Sequence, residues 1–447
     1  MMFTKPLRLL LCAGVSALAL IPCALPAQAE ELTQAVVRAL NQHPTVIAAL
    51  ANRDALAHER QEYVSDYFPE LNVSASSGRM YADNSTSRGL SVTRGAGYSW
   101  VNEGSVSLRQ MIFDGFETMN RVEAASARKD SANLDIIDIR ESLAMRAVAV
   151  YLDVLRNQET LERLRAQQVK LDDYIKRIET LVEEGVVDES MAAQARDVRA
   201  QLKSTEATVE GSLAVAKADY REVIGREPEG GMVLPGAQSG ILPPDVEKAV
   251  QTALQTHPSL RAADLSAIAY ERDAEAEEGV LYPDVSGEVS YLKRDQRDLI
   301  GGESLDTRAM LRVNWTLQTG GEQFSRIKKT KFRESESRAR RQERERQIER
   351  AVRAAYADMD STVRQVSVLK DRVRLGQDLM RTQTTQFEGA RISLLQLMQT
   401  DNALFNSEMT LLNGEYRHLA AQYAALAGMG KLQESFNIAP VAAPAHE

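Results

Sequence analysis

The sequence predicts a mixed α and β membrane protein whose protomer is internally duplicated, with four transmembrane β-strands and long coiled-coil-like helices. The duplication is visible directly, because Ala35–Pro44 (AVVRALNQHP) returns at Ala249–Pro258 (AVQTALQTHP). Each copy then alternates apolar and polar residues over two short segments, and continues into a long run without glycine or proline. A repeat of roughly 200 residues far exceeds the 20–50 residues of solenoid repeats, so it indicates a duplicated subunit.

The first 29 residues are predicted to be a secretory signal peptide. Lys5 and Arg8 precede the apolar run Leu9–Leu20, and Ala27–Ala29 (AQA) provides a cleavage site of the small-x-small type. We therefore expect the mature chain to be exported.

Cysteine usage and charge limit the remaining possibilities. Cys12 and Cys23 are the only cysteines and lie in the predicted signal peptide, so the mature chain is expected to hold neither a disulfide nor a cysteine-ligated metal. Two of the 54 basic residues are also in that peptide; the remaining 52, against 63 acidic residues, give a net charge of −11. This charge argues against nucleic acid as a partner. No later stretch has the roughly 18 consecutive apolar residues of a membrane helix.

Each copy is predicted to begin with a short helix, followed by a histidine, a proline and a second helix. Proline is favoured at the first helical position, and His43 and His257 would lie just before it as capping residues. Metal ligation is the alternative, but no cluster of further histidines accompanies them in the sequence. We therefore favour the capping interpretation.

A β-hairpin is predicted after the second helix of each copy. Pro69 and Pro283 end the helices, and the apolar periodicity then changes from about 3.6 to 2. Gly115 and Gly320 follow the hairpins and supply the permissive backbone needed at a strand–helix junction. Strands of ten to fourteen residues are long enough to cross a bilayer at the usual tilt.

Each hairpin leads into a long helical hairpin. The run Glu117–Val182 contains no glycine or proline and would form a helix roughly 100 Å long, with Gly185 in the turn that follows. The second copy repeats this pattern with Gly389 in the corresponding turn. The return helices are shorter, and the earlier helices that begin at Pro44 and Pro258 supply the missing length.

These segments give a predicted domain layout. It consists of a signal peptide (1–29), a first repeat (30–225) with a β-hairpin at about 70–113 and a helical hairpin at 117–224, a linker (226–247), a second repeat (248–430) with a β-hairpin at about 284–318 and a helical hairpin at 322–427, and a C-terminal tail (431–447).

Four strands alone could not cross a membrane as an open sheet. The unpaired N–H and C=O groups at its edges would cost several kcal/mol each in hydrocarbon, so closure would require further subunits. A soluble sandwich would show the same alternation. The signal peptide, the polar alternate faces and three candidate membrane-girdle residues, Trp100, Tyr291 and Trp315, favour the membrane.

Six features, in order along nearly the whole mature chain, resemble the TolC-type outer-membrane efflux and secretion ducts. They are the AL…HP start of each copy, Phe68-Pro69, Tyr282-Pro283, Ile112-Phe113-Asp114-Gly115, and the helical turns 182–195 and 387–406. The resemblance implies a homotrimer in the outer membrane of a Gram-negative bacterium, with a 12-strand β-barrel on a 12-helix α-barrel in the periplasm. It also implies a periplasmic adaptor, an inner-membrane ABC or proton-driven transporter, no catalytic residue, no metal and no cofactor.

The resemblance places the periplasmic entrance at the two helical turns. The family carries two aspartates, three residues apart, on the second return helix, and the matching positions here are Gln396 and Gln399. A ring of neutral amides exerts a weaker field than a ring of carboxylates, so we expect cation preference to be reduced. Arg391 matches a basic residue that pairs with a carboxylate of the first turn. The usual partner position is Met191 here, so we expect pairing with Asp188 or Glu189, the nearest carboxylates.

The predicted function is the outer-membrane duct of a tripartite export system. The LLxLMxxxNxLFN stretch at 394–406 is more similar to ducts of type I protein secretion than to those of drug pumps. A multidrug efflux duct is the first alternative, and a soluble periplasmic coiled-coil adaptor or scaffold is the second. No nucleophile elbow, P-loop or HExxH motif indicates an enzyme.

Overall fold

The computed structural model describes residues 31–82, 97–229, 231–236, 240–296, 303–317 and 320–438. The predicted signal peptide, the tip of each predicted β-hairpin and most of the predicted C-terminal tail lie outside the described residues. In chain order the elements are α1 (Leu32–Gln42), α2 (Pro44–Ser65), β1 (Glu70–Ala82), β2 (Gly97–Phe113), α3 (Glu117–Glu183), α4 (Glu189–Ile224), α5 (Val246–Thr256), α6 (Pro258–Gly279), β3 (Asp284–Gln296), β4 (Glu303–Asn314), α7 (Glu322–Glu388), α8 (Leu394–Gly428) and α9 (Leu432–Ser435).

The internally duplicated fold predicted from the sequence is confirmed. The long helices α3 and α7 each have 67 residues, and the shorter helices α2 and α6 each have 22. At 1.5 Å per residue each long helix extends about 100 Å. None of the described helices is both long and apolar enough to cross a membrane.

Histidine caps the second helix of each copy, as the sequence analysis favoured. The Nδ1 atom of His43 accepts a hydrogen bond from the backbone N–H of Thr45 (3.2 Å), and His257 Nδ1 accepts one from Ser259 (3.3 Å). The proline that follows each histidine occupies the first helical position, where its missing N–H costs nothing. Burial lowers the pKa of His257, which favours the neutral ring that can act as an acceptor.

The four strands form one antiparallel sheet in the order β1-β2-β3-β4. The repeats therefore meet through β2 and β3, while β1 and β4 form the two edges. One face is mainly apolar and the other is polar, as expected from the two-residue period of a strand. On the apolar face, Leu71 lies opposite Leu108 and Val73 opposite Val106. The sheet thus separates an apolar surface from a polar one.

Two ion pairs cross neighbouring strands on the polar face of the sheet. Arg294 donates to Glu103 through both Nε (2.9 Å) and a terminal nitrogen (2.7 Å), which links β3 to β2. Arg312 donates to Glu288 at 2.8 Å and links β4 to β3. Cross-strand pairs of opposite charge stabilise a sheet in this way.

The helices pack around α3. This helix contacts α2 and α4 of its own repeat and α6 and α8 of the second repeat, whereas α7 contacts α5, α6 and α8. The resulting lateral order places α2 and α4 at one edge of the protomer and α7 at the other. The helical edges therefore correspond to the edges of the sheet.

Two equivalent tyrosines hold the linker between the repeats. Tyr151 on α3 donates its hydroxyl to the carbonyl of Val233 (2.8 Å) and accepts from the N–H of the same residue (3.0 Å). Tyr356, at the corresponding position of α7, donates to the carbonyl of Pro243 (2.9 Å). The duplicated tyrosines thus bind both ends of the connection between the copies.

The apolar seam of α3 contains one buried polar residue, and its position differs from the one that the 3–4 apolar spacing predicts. That spacing, which runs through Leu164 and Leu171, predicts Gln168 in the seam, but the buried residue is Gln167. Gln168 turns toward its own hairpin and donates to Glu206 on α4 at 2.6 Å. Both residues fit the spacing between Leu164 and Leu171, so periodicity alone could not distinguish them.

Candidate functional site

The turn between α3 and α4 ends in a left-handed glycine. Gly185 has φ +78°, and its N–H bonds the carbonyl of Val182, while the N–H of Val186 bonds that of Leu181. This pair of bonds is the Schellman arrangement, which satisfies the last carbonyls of a helix and favours glycine at its left-handed position. The turn thus reverses the chain within a few residues.

The turn between α7 and α8 uses the same bonds but a different residue. Here the N–H of Ala390 bonds Phe387 and that of Arg391 bonds Gln386, and Ala390 has φ +53°. Gly389 keeps a negative φ of −82°. The sequence pattern pairs Gly185 with Gly389, but the structural equivalent of Gly185 is Ala390, because each is the second residue after its long helix, which ends at Glu183 in α3 and at Glu388 in α7.

The turn between α3 and α4 is acidic. Asp188 precedes α4 and Glu189 begins it, and both side chains are exposed. Glu183 and Glu184 lie on the other side of the turn and are also exposed. Among the described residues, these four carboxylates have no basic partner within 4 Å. The turn therefore presents a concentrated negative charge.

The second turn carries the opposite charge through Arg391. This exposed residue lines a groove of about 500 Å³ together with Arg381 and Thr385. Within the described part of the protomer, Arg391 forms no ion pair with Asp188, Glu189 or any other carboxylate. The predicted pairing is therefore not made within one protomer, and it remains a prediction for neighbouring protomers.

The two glutamines predicted at the entrance lie together on the exposed face of α8. Gln396 and Gln399 line a groove of about 380 Å³ between α7 and α8, and Ser393 caps the helix by accepting from the N–H of Gln396 (3.2 Å). Across the groove, Gln383 accepts a hydrogen bond from Thr400 at 2.5 Å. Leu394, Leu395, Leu397 and Met398 occupy the opposite, buried face.

A residue pair near this groove was missed by the sequence analysis. Gln167 of α3 donates to Oδ2 of Asp401 on α8 at 2.7 Å, and both side chains are buried. The two residues are 234 positions apart, so only the fold brings them together. The polar interruption of an apolar seam by Gln167 is the one signal in the sequence that could have indicated the pair.

The predicted strand–helix junctions lie where the sheet meets the helices. Pro69 and Pro283 directly precede β1 and β3. Gly115 and Gly320 both have left-handed backbones, with φ of +69° and +62°. Each junction thus uses a proline to end a helix before the hairpin and a glycine to begin the next helix after it.

The three candidate girdle residues lie at different heights on the sheet. Trp100 is near the distal end of β2, opposite Arg79, whereas Trp315 follows β4 and donates from Nε1 to the carbonyl of Leu281 (3.2 Å). Tyr291 is midway along β3, opposite Val106. Trp100 and Trp315 thus lie toward opposite ends of the strands, and the girdle assignment of all three residues stays a prediction.

A duplicated protomer with a two-faced sheet, helices about 100 Å long and paired helical turns defines the class of outer-membrane channel subunits. The family described as Outer membrane efflux protein matches residues 35–226 and 249–429. The chain belongs to this family. It is accordingly an outer-membrane protein with its helical part in the periplasm.

Individual relatives agree with this assignment. The outer membrane efflux protein BepC of Brucella suis biovar 1 is 22% identical over 331 residues, which cover 73% of this chain and 72% of BepC. The outer membrane protein TolC of Vibrio cholerae serotype O1 is 20% identical over 417 residues, covering 91% and 92%. The CmeC outer membrane channel of Campylobacter jejuni has the same fold, with a TM-score of 0.78, 14% identity and coverage of 90% and 86%.

Proposed function

We propose that three copies of this chain close into one duct, with a 12-strand barrel in the outer membrane above a 12-helix tunnel. The edges of the protomer support this proposal. Among the residues that the structure describes, β1 pairs only with β2 and β4 only with β3, so each edge strand needs a partner before the sheet can lie in hydrocarbon. A second copy provides that partner by placing its β1 beside β4.

The exposed apolar residues at the helical edges also support the assembly. On α7, Phe332 is 75% and Val368 67% exposed in the protomer. On the opposite edge, Ile47 of α2 and Val215 of α4 are more than half exposed. Packing α7 of one copy against α2 and α4 of the next would cover both sets, since exposed apolar surface favours association.

We propose that the duct serves type I protein secretion. The sequence LLQLMQTDNALFN at 394–406 supports this choice, and it includes the exposed Gln396 and Gln399. These two amides leave the closed entrance neutral, because amides exert only weak fields. Energy and cargo choice would come from a periplasmic adaptor and an inner-membrane transporter that dock at the two turns.

Multidrug efflux is the second candidate, because BepC is described as an efflux protein. Deletion of the chain, followed by comparison of secreted proteins with tolerance of small toxic compounds, distinguishes the two. Loss of one large exoprotein with unchanged tolerance supports secretion, whereas lost tolerance with unchanged secretion supports efflux. Re-expression of the intact chain is the control, and it must restore whichever property was lost.

A further inference from the structure

The carboxylate of Asp401 is concealed close to the entrance. It follows Gln399 by two residues, which at 100° per residue places the two side chains on nearly opposite sides of α8. Gln399 is exposed, whereas Asp401 is only 8% exposed and faces α3. The negative charge nearest the two entrance glutamines is therefore held within the protein.

The surroundings of Asp401 do not neutralise it. Gln167 is its hydrogen-bond partner at 2.7 Å, and no lysine, arginine or histidine lies within 4 Å of it among the described residues. Tyr174 lies on the same side of α3, where burial and then the negative charge of Asp401 raise its pKa. Buried Leu164, Leu171, Met398 and Phe405 form the apolar cluster around this part of the seam. The hydrogen bond from Gln167 is therefore a polar contact on which this buried carboxylate depends between α3 and α8.

The Gln167–Asp401 bond also has a particular place in the fold. It joins the helical hairpin of the first repeat to that of the second, whereas the neighbouring bond from Gln168 to Glu206 remains inside the first hairpin. Separation of α8 from α3 would break the first bond and leave the second intact. It would also transfer the Asp401 carboxylate from an apolar seam to water.

We propose that Asp401 is a concealed selectivity residue, hidden against Gln167 when the entrance is closed and exposed as a ring of three carboxylates when α8 leaves α3. The entrance then presents neutral glutamines when closed and negative charge when open, which favours cations and basic cargo segments. This inference rests on the proposed function, because it requires a trimeric duct that opens at this end.

The test compares single-channel currents of the purified full-length protein in planar bilayers under a salt gradient. Gln167→Leu leaves the carboxylate without its donor, and the open fraction is expected to rise about tenfold, as for the loss of a hydrogen bond to a charged group. The time-averaged current should also become more cation-selective than that of wild type, because the Asp401 carboxylate is exposed for a larger fraction of the time. Gln168→Leu is the matched control, since it removes the same kind of bond within one hairpin, and it should leave both quantities unchanged.

The charge itself is tested separately from the packing. Asp401→Asn keeps an acceptor for Gln167 and should fold normally, and its open bursts should lose the cation preference seen in wild type. The double variant Gln167→Leu/Asp401→Asn should likewise lose the preference that Gln167→Leu gains. Equal cation-to-anion permeability ratios in wild type and Asp401→Asn would overturn this inference alone. Identical open fractions and selectivities of Gln167→Leu and Gln168→Leu would do the same. Absence of any pore from the wild-type protein would overturn the proposed function together with it.

Discussion

The backbones of Gly115 and Gly279 are in close contact where the first β-hairpin meets the helices. A Cβ atom on Gly115 would overlap the carbonyl oxygen of Gly279, and one on Gly279 would lie 2.8 Å from the carbonyl oxygen of Gly115. The end of α6 in the second repeat therefore touches the strand–helix junction of the first. Only two residues without side chains permit this approach.

This contact predicts that equivalent glycines of the two repeats differ in their tolerance of alanine. Gly115→Ala adds a backbone clash to a left-handed φ and should prevent assembly or lower the thermal midpoint sharply. Gly320→Ala also places alanine at a left-handed φ, but its Cβ atom would have no other atom within 4 Å. This variant should therefore lose only about 1 kcal/mol of unfolding free energy. Thermal unfolding in detergent, followed by circular dichroism, measures the stability of both variants. Equal decreases in their thermal midpoints would contradict the role assigned to the contact between Gly115 and Gly279.

Two adjacent positions of the second helical turn should prefer different residues, glycine at position 390 and alanine at position 389. Ala390 has a left-handed backbone, so Ala390→Gly should stabilise the protein by about 1 kcal/mol. Gly389 has a negative φ, and a Cβ atom there would make only ordinary contacts at 3.5 Å or more, so Gly389→Ala should be neutral or slightly stabilising. Gly185→Ala should destabilise the first turn by about the amount that Ala390→Gly gains. Urea unfolding midpoints of the three variants check this order, and a destabilised Ala390→Gly would refute it.

Glu141 predicts a specific dependence of stability on pH. This buried carboxylate accepts from the backbone N–H groups of Leu432 (3.1 Å) and Gln433 (3.3 Å), and burial raises its pKa to about 7. Because the folded state binds the proton more tightly than the unfolded state, the contribution is present below about pH 4.5 and is lost as the pH rises through about 7. A rise from 4.5 to about 7 corresponds to about 3 kcal/mol.

The difference in unfolding free energy between wild type and Glu141→Gln, measured from pH 4 to pH 8, isolates this contribution. The variant should lose the decline over this range, because its amide does not titrate. Glu222→Gln, which alters an exposed ion pair with Arg146, is the control and should retain the wild-type slope. Parallel curves for wild type and Glu141→Gln would show that the buried carboxylate does not behave as described.

Arg391 predicts a change in channel conductance. If it pairs with Asp188 or Glu189 of the neighbouring protomer, Arg391→Glu replaces attraction by repulsion and should raise the mean conductance in planar bilayers. Arg391→Lys retains the charge and should resemble wild type. An unchanged conductance in the glutamate variant would rule out this pair as part of the closed entrance.

The repetitive features of the fold could be predicted because each is recorded twice in the sequence. The prolines before the strands, the glycines after them and the capping histidines all occur in both repeats, so the two copies of each feature support the same interpretation. Gln396 and Gln399 lie on an exposed face near a turn, and their place at the entrance, for which the resemblance supplied the register, stays a prediction.

The remaining features depended on single-residue differences or on distant contacts. The left-handed position of the second turn is Ala390, one residue after the glycine that the sequence pattern indicated, and only the end of α7 at Glu388 defines it. Gln167 and Gln168 fit the same helical spacing, and only packing buries one of them. The bond from Gln167 to Asp401 joins the two repeats, and no local pattern specifies such a pair.

The mass and location of the native protein test the central claim most directly. We expect the full-length chain to be found in the outer-membrane fraction, to require detergent for extraction, and to show three protomers by native mass spectrometry. A monomer that appears in the soluble periplasmic fraction without detergent would contradict the account, and would instead support a periplasmic adaptor or scaffold.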